Sequence, residues 1–224
     1  MATFKLNIAR IRGCPPPPQV AAAMDEFGLP DDEEFGVLQR AATAETVSAV
    51  IVRKTLQTVQ AVDAEAHEVT SRNVEKATVY PVTVRPSGET LEIHAGPASA
   101  IEQVGLFFSG CLAFATVTEA IETDLRDLVD KLSESTNKFQ LVSARVSDYS
   151  ANSFMTGPYQ PKFLDTQHGL DFLDQYAAGL TSAKVRFHGP SGRVNVTLSP
   201  TSSFSFSCKE DDQIEVQNIL RKLL

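Results

Sequence analysis

The stretch from Phe163 to Leu224 constrains the fold of this chain more than any other part of the sequence. Three of its segments, 183–188, 193–199 and 203–208, alternate apolar and polar residues with a period of two, which is typical of β-strands. Turns rich in Gly, Pro and Ser separate them. We therefore expect three antiparallel strands whose shared apolar face carries Val185, Phe187, Val194, Val196, Leu198, Phe204, Phe206 and Cys208.

Helical patterns lie on both sides of these strands. Residues 165–178 favour a helix that Gly179 ends. The last residues place an apolar stripe at the spacing i, i+3, i+4 and i+7, formed by Val216, Ile219, Leu220 and Leu223. The sequence thus predicts an α+β protein in which helices cover one face of antiparallel sheets.

The other face of the same strands is polar and mildly basic. An outer sheet face is normally solvated, and that is one interpretation of this surface. The alternative is a binding surface that acts by hydrogen bonding. Its candidate residues are Lys184, Arg186, His188, Arg193 and Asn195, with Thr197, Ser205 and Ser207 beside them.

The N-terminal half has weaker patterns. Residues 3–12 alternate as a strand, and 78–84 with 90–94 predict a hairpin around the turn 85–88. Residues 35–44 favour helix, 47–59 favour strand, and 63–76 suit either. A long helical region is expected from about residue 98 to Leu132, and Gly110 could interrupt it.

A short internal echo suggests how the halves are related. Residues 139–146 repeat the pattern of residues 4–11, and the turn 86–88 is echoed at 190–192. We predict an N-terminal α+β half, 1–135, that ends in the long helical region, and a β-α-β-β-β-α half, 136–224. The alternative is one helix-grip-like domain in which a single sheet wraps the long helix. Pairing of strand 3–12 within the second half would count against the division.

The order strand, helix, three or four antiparallel strands, helix resembles the half-repeat of TATA-box-binding proteins. That resemblance implies a saddle of two related halves. The final helix, three strands and helix also resemble a double-stranded-RNA-binding domain. Members of that family grip phosphates with lysines where the last helix begins, but here Lys209 is followed by Glu210, Asp211 and Asp212, which repel phosphate.

Composition points to an ordinary globular protein. The formal net charge of −8 over 224 residues argues against a general polyanion binder. Three widely separated cysteines fit a reducing compartment, and neither a secretory signal nor an apolar run long enough to span a membrane is evident. We expect a soluble cytoplasmic protein without membrane partners.

The sequence contains no recognisable catalytic or cofactor-binding motif. It lacks GxSxG, GxxxxGK[ST] and GxGxxG patterns, and its four histidines form no HxH or HxxxH pair. We predict no cofactor, metal ligand or catalytic residue. A hydrolase or metal-dependent enzyme whose site is invisible in the sequence stays an alternative.

Residues 150–163 form an aromatic loop interrupted by Gly and Pro. Exposed aromatics and methionine are typical interface anchors, and the candidates here are Phe154, Met155 and Tyr159. The same residues could instead pack onto their own domain. We predict a non-enzymatic binding or assembly subunit that contacts another protein chain, as a hetero-complex or homo-oligomer. Nucleic-acid binding through the polar face is the alternative.

Overall fold

Single helices separate groups of one to four strands along the chain. The computed structural model describes residues 1–28, 34–63, 68–112, 116–152 and 155–224. The strands are β1 (Ala2–Arg12), β2 (Phe35–Ala42), β3 (Val47–Asp63), β4 (Glu68–Arg85), β5 (Thr90–Ile93), β6 (Val117–Ala120), β7 (Asn137–Asn152), β8 (Met155–Tyr159), β9 (Leu180–Gly189), β10 (Gly192–Leu198) and β11 (Ser203–Cys208). The helices are α1 (Pro17–Asp25), α2 (Ala100–Cys111), α3 (Leu125–Ser135), α4 (Thr166–Gln175) and α5 (Gln213–Arg221). The predicted α+β class is confirmed.

The chain forms two compact units that are not continuous in sequence. Unit 1 comprises Met1–Arg10, Glu92–Ile101 and Glu119–Leu224, and unit 2 comprises Ile11–Leu91 and Glu102–Thr118. The N-terminal residues belong to unit 1 because β1 pairs antiparallel with β11. This pairing counts against a simple division into 1–135 and 136–224.

Unit 1 is built on the antiparallel strands predicted at the C-terminus. Its strand order is β1-β11-β10-β9-β7-β8. Every residue of the predicted apolar face is buried, and so are the inward residues of three covering helices. At 25 cal/mol per Å², burying each such side chain contributes about 2 kcal/mol. The covering residues include Leu128 and Leu132 of α3, Leu173 of α4, and Val216 and Leu220 of α5.

Close packing of α4 on this sheet depends on a glycine. A Cβ atom at the buried Gly169 would lie 2.8 Å from Leu141 Cδ2 and 2.9 Å from Phe163 Cδ2. The helix begins at Asp165, whose carboxylate accepts a hydrogen bond from the backbone N–H of His168 as an N-cap. This bond, the largest cause, and the His168 side chain lower the pKa of Asp165.

Unit 2 has the strand order β2-β3-β4, and both pairings are antiparallel. Its buried side chains come mostly from alternate positions of β3 and β4 and from one face each of α1 and α2. The Phe107 ring contacts the rings of Phe27 and Phe108 at centroid distances of 5.6 and 5.4 Å. The unit therefore has a core of its own.

Two expectations for the N-terminal half are wrong. Residues 35–44 were expected to be helical, but β2 covers Phe35–Ala42 because pairing with β3 outweighs the helix propensity of alanine, glutamine and arginine. The helical region expected to Leu132 does break beside Gly110, since α2 ends at Cys111, but the stretch beyond the break is not all helix. The strand β6 lies between α2 and α3, where β-branched Val117 and Thr118 favour an extended backbone.

The echo of residues 4–11 at 139–146 does fall on two strands of unit 1, β1 and β7. The second half also holds β8, an additional strand paired with β7. An internal duplication and a saddle like that of TATA-box-binding proteins stay predictions.

Candidate functional site

The predicted polar surface is an open face of the unit 1 sheet. We call the outward residues Lys184, Arg186, His188, Arg193, Asn195, Thr197, Ser205 and Ser207 the polar sheet face. Cross-strand register aligns Ser207, Asn195 and Arg186 in one row and Ser205, Thr197 and Lys184 in the next. On β1, Thr3 and Lys5 extend the same two rows.

Arg186 lies at the centre of a hydrogen-bonded ladder on this face. Its Nε donates to Asn195 Oδ1 at 3.1 Å, and its Nη1 donates to Gln140 Oε1 at 3.4 Å. Asn195 Nδ2 in turn donates to Ser207 Oγ at 3.5 Å. The ladder fixes the guanidinium with neutral amides, so its positive charge is not neutralised.

The charges of the polar sheet face have one sign. The outward positions of β9, β10 and β11 contain no Asp or Glu. Among the described residues, the cations here form no ion pair with a carboxylate. They are Lys5, Lys184, Arg186 and Arg193, of which only Arg186 is half-buried and the rest are exposed.

The aromatic loop is partly a strand, and its tyrosine packs onto unit 1. The Tyr159 ring lies 4.4 Å from that of Tyr149 and 6.2 Å from that of Phe172, between centroids. The Tyr159 side chain nevertheless stays 42% exposed. Phe154 lies outside the described residues, and Met155 begins β8. Tyr159 thus combines self-packing with an accessible edge.

A second surface, which sequence patterns did not indicate, is the outer part of the β3–β4 hairpin. We call residues 55–63 and 68–76 the ribbon. The pairing of β3 with β2 ends at Arg53, whereas its pairing with β4 continues without a bulge to Asp63 opposite Glu68. Large apolar side chains are exposed here: Leu56 (76%), Val69 (62%), Val74 (39%) and Val59 (38%).

A buried ion pair joins two elements of unit 1. Arg221 Nε donates to Glu92 Oε1 at 2.8 Å and Nη2 donates to Oε2 at 2.7 Å, in a bidentate arrangement. The Glu92 side chain is 1% exposed, and His94 Nε2 lies 3.7 Å from its Oε2. Both carboxylate oxygens bind the guanidinium, which makes this pair a link between β5 and α5.

Neither the protein-family models nor the curated proteins compared with this chain give a match.

The remaining residues with metal or thiol chemistry are dispersed. His168 pairs with Asp165 at 2.8 Å on an exposed helix start, and His188 is exposed at the end of β9. His67 lies outside the described residues. Within the described ranges, no three His, Cys, Asp or Glu side chains converge as metal ligands would, and no helix in them is long and apolar enough to cross a membrane.

All three cysteines are free thiols with raised pKa values. Burial raises the pKa of Cys14 to about 11, and burial with the nearby charge of Glu26 does the same for Cys111. Burial, followed by the charge of Asp212, also raises the pKa of Cys208. A protonated thiol is a poor nucleophile, so these environments do not activate a cysteine.

The raised pKa values predict slow alkylation. With a pKa of about 11, only about one Cys14 or Cys111 thiol in a thousand is ionised at pH 8, against about one in ten for an ordinary cysteine. Iodoacetamide labelling of native protein, followed by peptide mass spectrometry, should therefore accelerate roughly tenfold per pH unit up to pH 10. A plateau below pH 9 would contradict this, and urea-unfolded protein is the control.

Proposed function

We propose that this chain is a non-enzymatic binding and assembly subunit that acts through contacts with another protein chain. The observation that carries the proposal is the ribbon, which exposes apolar side chains on both of its faces. Three free, dispersed cysteines fit a reducing compartment, and we place the subunit in the cytoplasm.

The ribbon has little to stabilise it within the chain. Beyond Lys54, no described strand pairs with the outer edge of β3. The strand beside β4 is β5, which has only four residues, whereas β4 has eighteen. An isolated two-stranded hairpin is marginally stable in water. Unpaired edges and exposed Leu and Val side chains are features that a partner chain can cover by strand addition or packing.

The charges of the ribbon favour a protein partner over a nucleic acid. A two-stranded ribbon can enter the major groove of DNA, but it then needs basic side chains along its length. Here Arg72 and Lys76 are accompanied by Glu75, and the far end carries Asp63 and Glu68. Acidic residues interspersed with the basic ones in the ribbon sequence would repel a phosphate backbone.

Introducing a charge on the ribbon tests the proposal. We expect size-exclusion chromatography with light scattering to show the wild-type chain as an oligomer or in a stoichiometric complex with a co-purified chain. Leu56→Asp should release the monomer, because a buried carboxylate has no partner in an apolar interface. Leu56 is 76% exposed within this chain, so the fold should be unaffected.

Leu164→Asp is the matched control, because Leu164 is 100% exposed and belongs to unit 1, whereas the ribbon belongs to unit 2. It should leave the assembled mass unchanged. A wild-type chain that is monomeric over the whole accessible concentration range and carries no bound chain would refute the proposal. So would an assembly that Leu56→Asp leaves intact.

Nucleic-acid binding is the second candidate function, and the single-signed charge of the polar sheet face favours it. Such binding weakens as salt rises, because phosphate contacts release counterions. A duplex that binds this face should therefore lose affinity between low and moderate salt.

A further inference from the structure

We infer that the polar sheet face binds a short acidic segment of a protein partner, with the Arg186 guanidinium receiving a carboxylate of that segment. The ligand class is an extended peptide with closely spaced Asp or Glu side chains. This inference names the chemistry of the partner and rests on the proposed function to that extent.

Arg186 is held in place for this role before any ligand arrives. Its Nε and Nη1 each donate to a neutral side-chain oxygen, so two of five N–H donors are used. The three remaining donors, on Nη1 and Nη2, have no hydrogen-bond partner among the residues that the structure describes, and a carboxylate can bind two of them. Because Arg186 is half-buried and already ordered, less side-chain entropy is lost on binding.

Other cations surround this guanidinium at strand spacings. Lys184 is two residues away along β9, which is about 7 Å. Arg193 is diagonal to Arg186 on β10, also at about 7–8 Å. Carboxylates two residues apart on an extended peptide have the same spacing, so successive acidic side chains can each meet a cation.

The composition of the face favours a short peptide over nucleic acid. Single-stranded RNA needs aromatic platforms for its bases, and minor-groove binders insert apolar wedges. The outward positions of β9, β10 and β11 offer no Phe, Tyr or Trp for stacking and no large apolar wedge. A long polyanion would also be repelled by the protein's net charge of −8, to which Glu210 and Asp211, just beyond Lys209 at the end of β11, contribute. A short segment avoids most of that repulsion.

Fluorescence anisotropy with a labelled hexaglutamate peptide tests the site. Arg186→Gln should weaken binding at least about tenfold, because it removes a charge-assisted bidentate contact. Arg186→Lys should restore only part of the affinity, since lysine keeps the charge and loses the planar fork. Lys222→Gln removes the same charge from an exposed residue after α5 and should leave the affinity unchanged.

Three further probes separate the alternatives: a hexaglutamine peptide, inorganic phosphate and a short DNA duplex. Hexaglutamine that binds as well as hexaglutamate would overturn the inference. A duplex that binds more tightly than the peptide and is lost in Arg186→Gln would assign the face to nucleic acid instead, and phosphate that competes as well as the peptide would reduce it to a small-anion site.

The thermal unfolding midpoint of each variant must match that of wild type. If Arg186→Gln does not fold, the exposed pair Lys184→Gln/Arg193→Gln provides the same test. Failure here is distinguishable from failure of the proposed function. Leu56→Asp lies in unit 2 and should not change hexaglutamate affinity, whereas Arg186→Gln lies in unit 1 and should leave the ribbon-dependent assembly intact.

Discussion

Replacing Phe187 by alanine should lower the free energy of unfolding by about 4 kcal/mol. The Phe187 side chain is fully buried in the core of unit 1, on the inward face of β9. It lies opposite Val194 of β10 in an antiparallel pair. Alanine there loses the transfer free energy of the ring and leaves a cavity that neighbouring β-sheet side chains can fill only in part.

The adjacent residue provides the control. His188 follows Phe187 on the same strand and points to the exposed face, so His188→Ala should change stability by less than about 0.5 kcal/mol. Urea denaturation followed by circular dichroism measures both. Equal losses for the two variants, or a loss below about 1 kcal/mol for Phe187→Ala, would show that this strand face does not form the core.

The C-terminal part of the fold could be predicted because the patterns that determine it lie within short, consecutive segments. Strand side chains alternate with period two, so Val185 and Phe187 fall on one face and Lys184 and Arg186 on the other. That alternation, with turns at 189–192 and 199–201, was enough to order three strands. The stripe on α5 showed which face of the helix would pack on them.

The N-terminal part could not be predicted in the same way because tertiary pairing decides it. Residues 41 and 42 are alanines, with good helix propensity, yet they extend β2 by pairing with Ser48 and Val47. The ribbon is a comparable case: 63–76 was ambiguous by composition and is strand in its described residues because β3 offers a continuous partner. Exposure of its Leu and Val residues is visible only in the structure.

Part of the candidate site could likewise be predicted from the sequence, and part could not. Sequence alternation placed Lys184, Arg186 and Arg193 on one surface, but it could not show that Gln140 of β7 and Asn195 of β10 hold the guanidinium between them. Those contacts depend on which strands are neighbours in the sheet. Gln140 of β7 precedes Arg186 by 46 positions in the sequence. The order of strands in a sheet follows from the whole topology, and no single segment encodes it.

No sequence pattern indicates the Glu92–Arg221 pair, since 129 positions separate its two residues. We expect Arg221→Gln to lower the free energy of unfolding by about 3 kcal/mol, because it removes a bidentate, charged partner from a carboxylate that is 1% exposed. The low end of the known range applies, since 26% of the Arg221 side chain is exposed and water can replace part of the lost contact.

A double-mutant cycle measures the interaction between Glu92 and Arg221 directly. The double variant Glu92→Gln/Arg221→Gln buries a neutral amide in place of a carboxylate, so it should lose at least about 1 kcal/mol less than the sum of the two single losses. Lys222→Gln removes the same charge one residue further on and should cost less than about 0.5 kcal/mol. Additive single losses, measured by urea denaturation at neutral pH, would show that the two side chains do not interact in solution. A coupled loss would establish that this ion pair connects the C-terminal helix α5 to β5. The pair would then help to keep α5 packed on the core of unit 1, whose sheet carries the polar sheet face on its other side.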